Sequence, residues 1–122
     1  MIGFTTIGTN NLNRSIKFYD ELLSVIGVAG IKETERLKIY GTVNDQGSLA
    51  IIIPFNKQKH EPGNGNMVAI NGENKKNIDS LFSKAIELGA SSEGDPGERS
   101  PTFYGAYIRD LDGNKICFYC RP

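Results

Sequence analysis

Residues 4–23, FTTIGTNNLNRSIKFYDELL, and residues 67–89, MVAINGENKKNIDSLFSKAIELG, follow one plan. Each opens on a short run of strand character, in which Phe4 corresponds to Met67 and Ile7 to Ile70. In the first run Phe4 and Thr6 alternate with Thr5 and Ile7, so the two pairs belong to opposite faces. Each run then turns into apolar residues at three- and four-residue steps. These are Leu12, Ile16, Tyr19, Leu23 and Ile26 in the first copy, and Ile78, Leu81, Ala85 and Leu88 in the second. That spacing is the core stripe of an amphipathic helix. Asn11 and Asn74 stand where an N-cap belongs, and Gly27 and Gly89 where a left-handed cap closes the last turn. Lys75 and Lys76 oppose the dipole of the second helix and weaken its first turn.

The correspondence continues beyond the helices. Tyr40-Gly41 leads through Asn44-Asp45-Gln46-Gly47 into Leu49-Ala50-Ile51-Ile52-Ile53, and Tyr104-Gly105 leads through Asp110-Leu111-Asp112-Gly113 into Ile116-Cys117-Phe118-Tyr119. Both read as hairpins, with glycine at the turn and β-branched or aromatic residues on either side. Aligning the turn glycines pairs Ile51 with Cys117. Each half is therefore a strand, a helix and a meander of strands, giving module one over residues 1–55 and module two over 66–122 of a single domain, 1–122. Residues 56–66 are the connector, and residues 94–101 read as a second loop rich in proline and glycine.

With 122 residues the chain has about one domain's length and enough surface to bury for one core. Its 14 Lys+Arg balance 14 Asp+Glu, so nothing steers it toward nucleic acid or an anionic membrane. The N-terminus has no basic region followed by an apolar stretch, and the longest apolar run is strand-length; no signal peptide and no membrane span are expected. Cys117 and Cys120 lie three apart in a strand-like segment, about 10 Å between Cα atoms, too far for a disulfide and on opposite faces. A cytoplasmic protein with reduced thiols is expected.

Three stretches in order, residues 4–23, residues 62–70 (PGNGNMVAI) and residues 103–116 (FYGAYIRDLDGNKI), resemble the vicinal oxygen chelate superfamily, the glyoxalase and bleomycin-resistance fold. Leu111 stands where many glyoxalase-like proteins have proline before Asp-Gly-Asn. The resemblance implies an α+β fold: tandem βαβββ modules whose mixed sheets curl around a central pocket, with the helices outside. In the metal enzymes of that family, His or Glu side chains from the first and last strands of each module hold a divalent ion. Carried over, those positions are Phe4, Ile51, Met67 and Cys117. Phenylalanine and isoleucine cannot ligate, methionine is a soft thioether, and one cysteine does not make a site. No metal and no cofactor are therefore expected.

Other chemistry is sparse. His60, the single histidine, lies beside Glu61 in the connector and reads as solvated. Asp110 and Asp112 flank a turn, where aspartate bonds its own backbone. Cys117 is the sharpest nucleophile, but apolar neighbours (Phe4, Met67, Ile51) favour its neutral thiol. Tyr40, Tyr104, Tyr107 and Tyr119 offer phenols on strands, and Arg99 and Arg109 are anion partners at the rim. The expected ligand pocket is Phe4, Thr6, Ile51, Met67, Tyr104, Tyr107, Cys117 and Tyr119, with no catalytic residue assigned. The expected function is sequestering or carrying a small, partly apolar molecule, as a homodimer. The alternative is a metal-dependent lyase or isomerase of the lactoylglutathione lyase type, or a dioxygenase relative, with a displaced metal site.

Overall fold

A computed structural model describes residues 1–41 and 47–122, which form two compact units, 1–62 and 63–122. The division falls inside the connector. Unit one holds β1 (Phe4–Gly8), α1 (Leu12–Ser24), β2 (Gly30–Glu33), β3 (Leu37–Tyr40) and β4 (Ser48–Ile52). Unit two repeats that order with β5 (Val68–Asn71), α2 (Lys75–Glu87), β6 (Ser91–Ser100), β7 (Phe103–Arg109) and β8 (Lys115–Cys120). Both four-stranded sheets are mixed. The order is β1-β4-β3-β2 in one and β5-β8-β7-β6 in the other, with the first and last strands of each unit paired in parallel. The fold is α+β, built twice. No helix among the described residues is long and apolar enough to cross a membrane.

The helices begin and end for the reasons legible in their sequences. Asn11 Oδ1 accepts the amide of Arg14 at 3.0 Å, and Asn74 Oδ1 that of Asn77 at 2.9 Å. Each cap is worth about 1 kcal/mol. At the other ends, Gly27 and Gly89 sit at φ of 72° and 105°. Val28 N–H reaches Leu23 O and Gly27 N–H reaches Ser24 O; Ala90 and Gly89 repeat the pattern onto Ala85 and Ile86. This double bond is the Schellman closure, which a left-handed glycine permits without a Cβ clash. The α2 helix starts at Lys75 despite its two opposing lysines, and Lys75 Nζ lies 5.4 Å from the Tyr104 ring centroid.

One face of each helix lies on its own sheet. On α1 the buried residues are Ser15, Phe18, Tyr19, Leu22 and Leu23; Ile26 falls beyond the helix. On α2 they are Ile78, Leu81 and Ala85. Residues 94–101, expected to be a loop, are strand through Ser100, and only Pro101 lies outside. The strand tolerates Pro96 and two glycines because it is the sheet's edge and is bulged, with register shifts at Ser92/Gly94, Gly94/Gly97 and Glu98/Ser100. Both expected hairpins are antiparallel pairs, β3 with β4 and β7 with β8. Residues 44–46 of the first turn lie outside the described residues. In the second turn Asp110 Oδ1 accepts the amides of Asp112 and Asn114, both at 2.9 Å, and its Oδ2 accepts the Asn114 side chain at 3.1 Å. That is turn chemistry, as its position suggested.

Candidate functional site

Strand alternation divides the second sheet into two faces, and the register says which residue lies on which. Ala106, Ile108, Ile116, Phe118 and Cys120 are fully buried, and Tyr104 pairs with Cys120 among them. Tyr104 donates its hydroxyl to Asp79 Oδ1 on α2 at 2.7 Å, which marks this face as the helix side. The other face carries Phe103, Gly105, Tyr107 and Arg109 on β7, and Lys115, Cys117 and Tyr119 on β8. Ala69 on β5 pairs with Cys117 and belongs to the same face. The two cysteines are buried, unbridged and on opposite sides.

Cys117 sits at the centre of that second face. Burial pushes its thiol up from the ordinary range, outweighing the Tyr107 hydroxyl bonded to it and the nearby Arg99 and Lys115 charges. The sequence suggested purely apolar neighbours; a phenol and two cations stand there instead, and the thiol still stays neutral. Arg99 and Lys115 each lie over the Tyr107 ring, 5.4 and 5.5 Å from its centroid. Phe103 and Tyr119 stack at 5.3 Å and 4°, and Arg121 caps both rings at 5.8 and 5.9 Å. Arg109 is held differently. Its Nε donates to Glu93, whose carboxyl is lowered by that bond, and Nη1 donates to Gly113 O at 3.1 Å.

The first sheet divides in the same way. Tyr40 donates to Asp20 Oδ1 at 2.8 Å on α1, and Lys38 Nζ meets the same carboxylate at 2.8 Å. Their strand partners are Leu49 and Ile51, so Ile51 stands on the α1 side, 1% exposed. Phe4 and Thr6 pair with Ser48 and Ala50 on the opposite side. The expected match of Ile51 to Cys117 is thus offset by one residue. Phe4 and Met67 each precede their N-cap asparagine by seven residues. Counting from there along the parallel pairs matches Ala50 to Cys117 and Ile51 to Phe118. Ser48 Oγ, on the Phe4 side, is buried without a hydrogen-bond partner among the described residues.

Of the eight expected pocket residues, Tyr107, Cys117 and Tyr119 share one face of the second sheet, while Tyr104 stands on the other. Met67, 46% exposed, precedes β5. Phe4, 63% exposed, shares a face with Thr6 in unit one, and Ile51 does not. Phe103, Lys115 and Arg121 were missed, although counting in twos from Cys117 and Tyr107 reaches all three. His60, which the sequence places in a solvated connector, is tied down through its backbone: its amide donates to Asn10 Oδ1 at 2.7 Å and its carbonyl accepts Asn10 Nδ2 at 3.1 Å. Its ring occupies the space a Cβ on Gly8 would need, with Nδ1 at 2.2 Å from that position. The connector is clamped to the end of β1.

The matched positions therefore offer an aromatic ring, an aliphatic methyl, a thioether and one buried thiol held neutral. This donor set does not fit a catalytic divalent ion, which needs about three anionic or imidazole ligands. Among the described residues no group of three or more His, Cys, Asp or Glu could hold a metal.

A duplicated βαβββ unit with this sheet order defines a fold class, and the comparisons identify the family. The family model described as Glyoxalase/Bleomycin resistance protein/Dioxygenase superfamily matches residues 1–118. A glyoxalase/bleomycin resistance protein from Albidiferax ferrireducens T118 is 34% identical, with 98% of each chain covered and a TM-score of 0.90. The chain belongs to the glyoxalase/bleomycin resistance protein/dioxygenase superfamily. Two further structures share the fold. One is a family enzyme from Burkholderia phytofirmans PsJN, 17% identical over 99% of this chain and 98% of that one, TM-score 0.78. The other is a glyoxalase-related enzyme from Fulvimarina pelagi, 19% identical over 100% and 88%, TM-score 0.79. Comparison with curated proteins gives no match.

Proposed function

We propose that this chain is a small-molecule-binding member of the superfamily that works without a resident metal, holding its ligand on the Cys117 face of the second sheet. Two features of the chain, taken together, support the reading. The positions that the resemblance assigns to the family's metal ligands, with the register counted along the strand pairs, are Phe4, Ala50, Met67 and Cys117, and the face around the last of these is rich in aromatic surface with a few polar groups. Apolar walls with sparse hydrogen-bonding groups are the usual make-up of a small-ligand site. Tyr107, Tyr119 and Phe103 supply apolar area, and the Tyr119 phenol supplies a donor.

The same reading takes the chain as one domain of two modules, acting as a homodimer in the cytoplasm, where its thiols stay reduced. Light scattering tests the dimer. Thermal-shift screening followed by native mass spectrometry tests binding: a saturable rise in melting temperature with a matching mass increment supports it. Elemental analysis of protein purified without chelators tests the metal. A tightly held stoichiometric ion, lost together with a lyase or dioxygenase activity, would overturn the proposal in favour of a displaced metal site.

A further inference from the structure

The Cys117 face gathers more positive charge than it neutralises. Arg99, Arg109, Lys115 and Arg121 all stand at it, and the one ion pair there joins Glu93 to Arg109, with Lys115 at longer electrostatic range of the same carboxylate. Among the described residues the other three have no carboxylate partner. Arg99 and Lys115 lie over one Tyr107 ring, and Arg121 over the Phe103–Tyr119 stack. A ring's quadrupole attracts each cation weakly, but two like charges at one ring repel each other. The nearby Glu93 carboxylate, already held by Arg109, offsets that repulsion only in part.

Arg99 is moreover seated. Its Nη2 donates to Asp95 O at 2.6 Å. A Cβ on Gly97 would lie 2.8 Å from Nη1, and one on Gly94 3.2 Å from Nη2. The two glycines of the bulged edge strand therefore leave the space the guanidinium occupies. Apolar and flat surface adjoins it: Phe103 and Tyr119 are stacked rings, and Gly105 between Phe103 and Tyr107 has no side chain.

We infer that this face takes a small planar anion, an arene bearing a carboxylate or sulfonate, with the acidic group between Arg99 and Lys115 and the ring against the tyrosines. The inference rests on the small-molecule reading and adds the sign of the ligand's charge and its flatness. A neutral ligand would leave the cations uncompensated, and a cation would add to their repulsion. The neutral Cys117 thiol at the centre brings no opposing negative charge.

The test uses two fluorescent probes of nearly one shape, anilinonaphthalene sulfonate and its uncharged counterpart phenylnaphthylamine. Both are titrated into wild-type protein, the double variant Arg99→Met/Lys115→Met, and Gly97→Ala, which keeps every charge but displaces Arg99. Circular dichroism melts verify that each variant folds. The sulfonate should bind the wild type, weaken as salt rises, and weaken about tenfold in the double variant and several-fold in Gly97→Ala. The uncharged probe should change by less than about twofold across the series. Equal sulfonate binding in wild type and double variant would overturn the anion inference alone, as would tighter binding of the uncharged probe. Binding of neither probe to the wild type would overturn the small-molecule reading of this face as well.

Discussion

Truncating Ile51 to alanine separates two accounts of that residue. If Ile51 lines a ligand site, shortening it alters binding and leaves the fold largely intact. The register instead sets it on the α1 side of the first sheet, 1% exposed, beside Ile7 on β1 and opposite Lys38 on β3. The change removes three carbons at about 0.8 kcal/mol each in lost transfer energy, and a packed core adds a cavity term. The expected cost is about 3 to 4 kcal/mol. For a chain of this length each kcal/mol moves the melting temperature by about 4 °C, so a fall of about 12 to 16 °C is expected. Circular dichroism melts and urea titrations measure it, with an unchanged urea slope showing that the unfolded surface is the same. Phe4→Ala, at a position 63% exposed, is the control and should cost under about 1 kcal/mol. A melting point for Ile51→Ala within about 3 °C of wild type would refute the face assignment.

Three further outcomes follow from the geometry. Tyr107→Leu should weaken ligand binding while Tyr104→Phe should not, because the Tyr104 hydroxyl is committed to Asp79 on the α2 side; equal effects in a titration would contradict the division of faces. Asp110→Ala should destabilise by about 2 kcal/mol in urea unfolding, since it strips acceptors from the amides of Asp112 and Asn114. Stability should decline as pH rises above the ordinary thiol value of 9.0, because burial raises Cys117 in the folded state. Below that value both states carry the neutral thiol; above it the unfolded chain ionises first and its free energy falls relative to the native state. Buried Tyr40, also raised by burial and by Asp20, adds to the decline at still higher pH. Cys117→Ala should flatten the first part of the curve in urea titrations across that range.

The amino-acid sequence alone determined the local elements and their repetition. Helical periodicity, asparagine caps and left-handed glycines are written in neighbouring residues, because each depends on interactions within a turn or two of the chain. The side-chain chemistry of Phe4 and Met67, the positions the resemblance pointed to, was equally legible, since a ring and a soft thioether are read from the residue alone. What the sequence could not decide was registry between distant strands. Aligning turn glycines set Ile51 against Cys117, whereas the parallel pairing of β1 with β4 and β5 with β8 sets Ala50 there, and a slip of one residue reverses the face of every side chain. The same limit hid the bulged edge strand, in which local proline and glycine signals yield to pairing with β7, and the seat that Gly94 and Gly97 make for Arg99. Tyr104 and Tyr107 look alike in sequence. Strand pairing turns one toward a helix and the other toward Cys117, and that long-range contact gives the candidate site its chemistry.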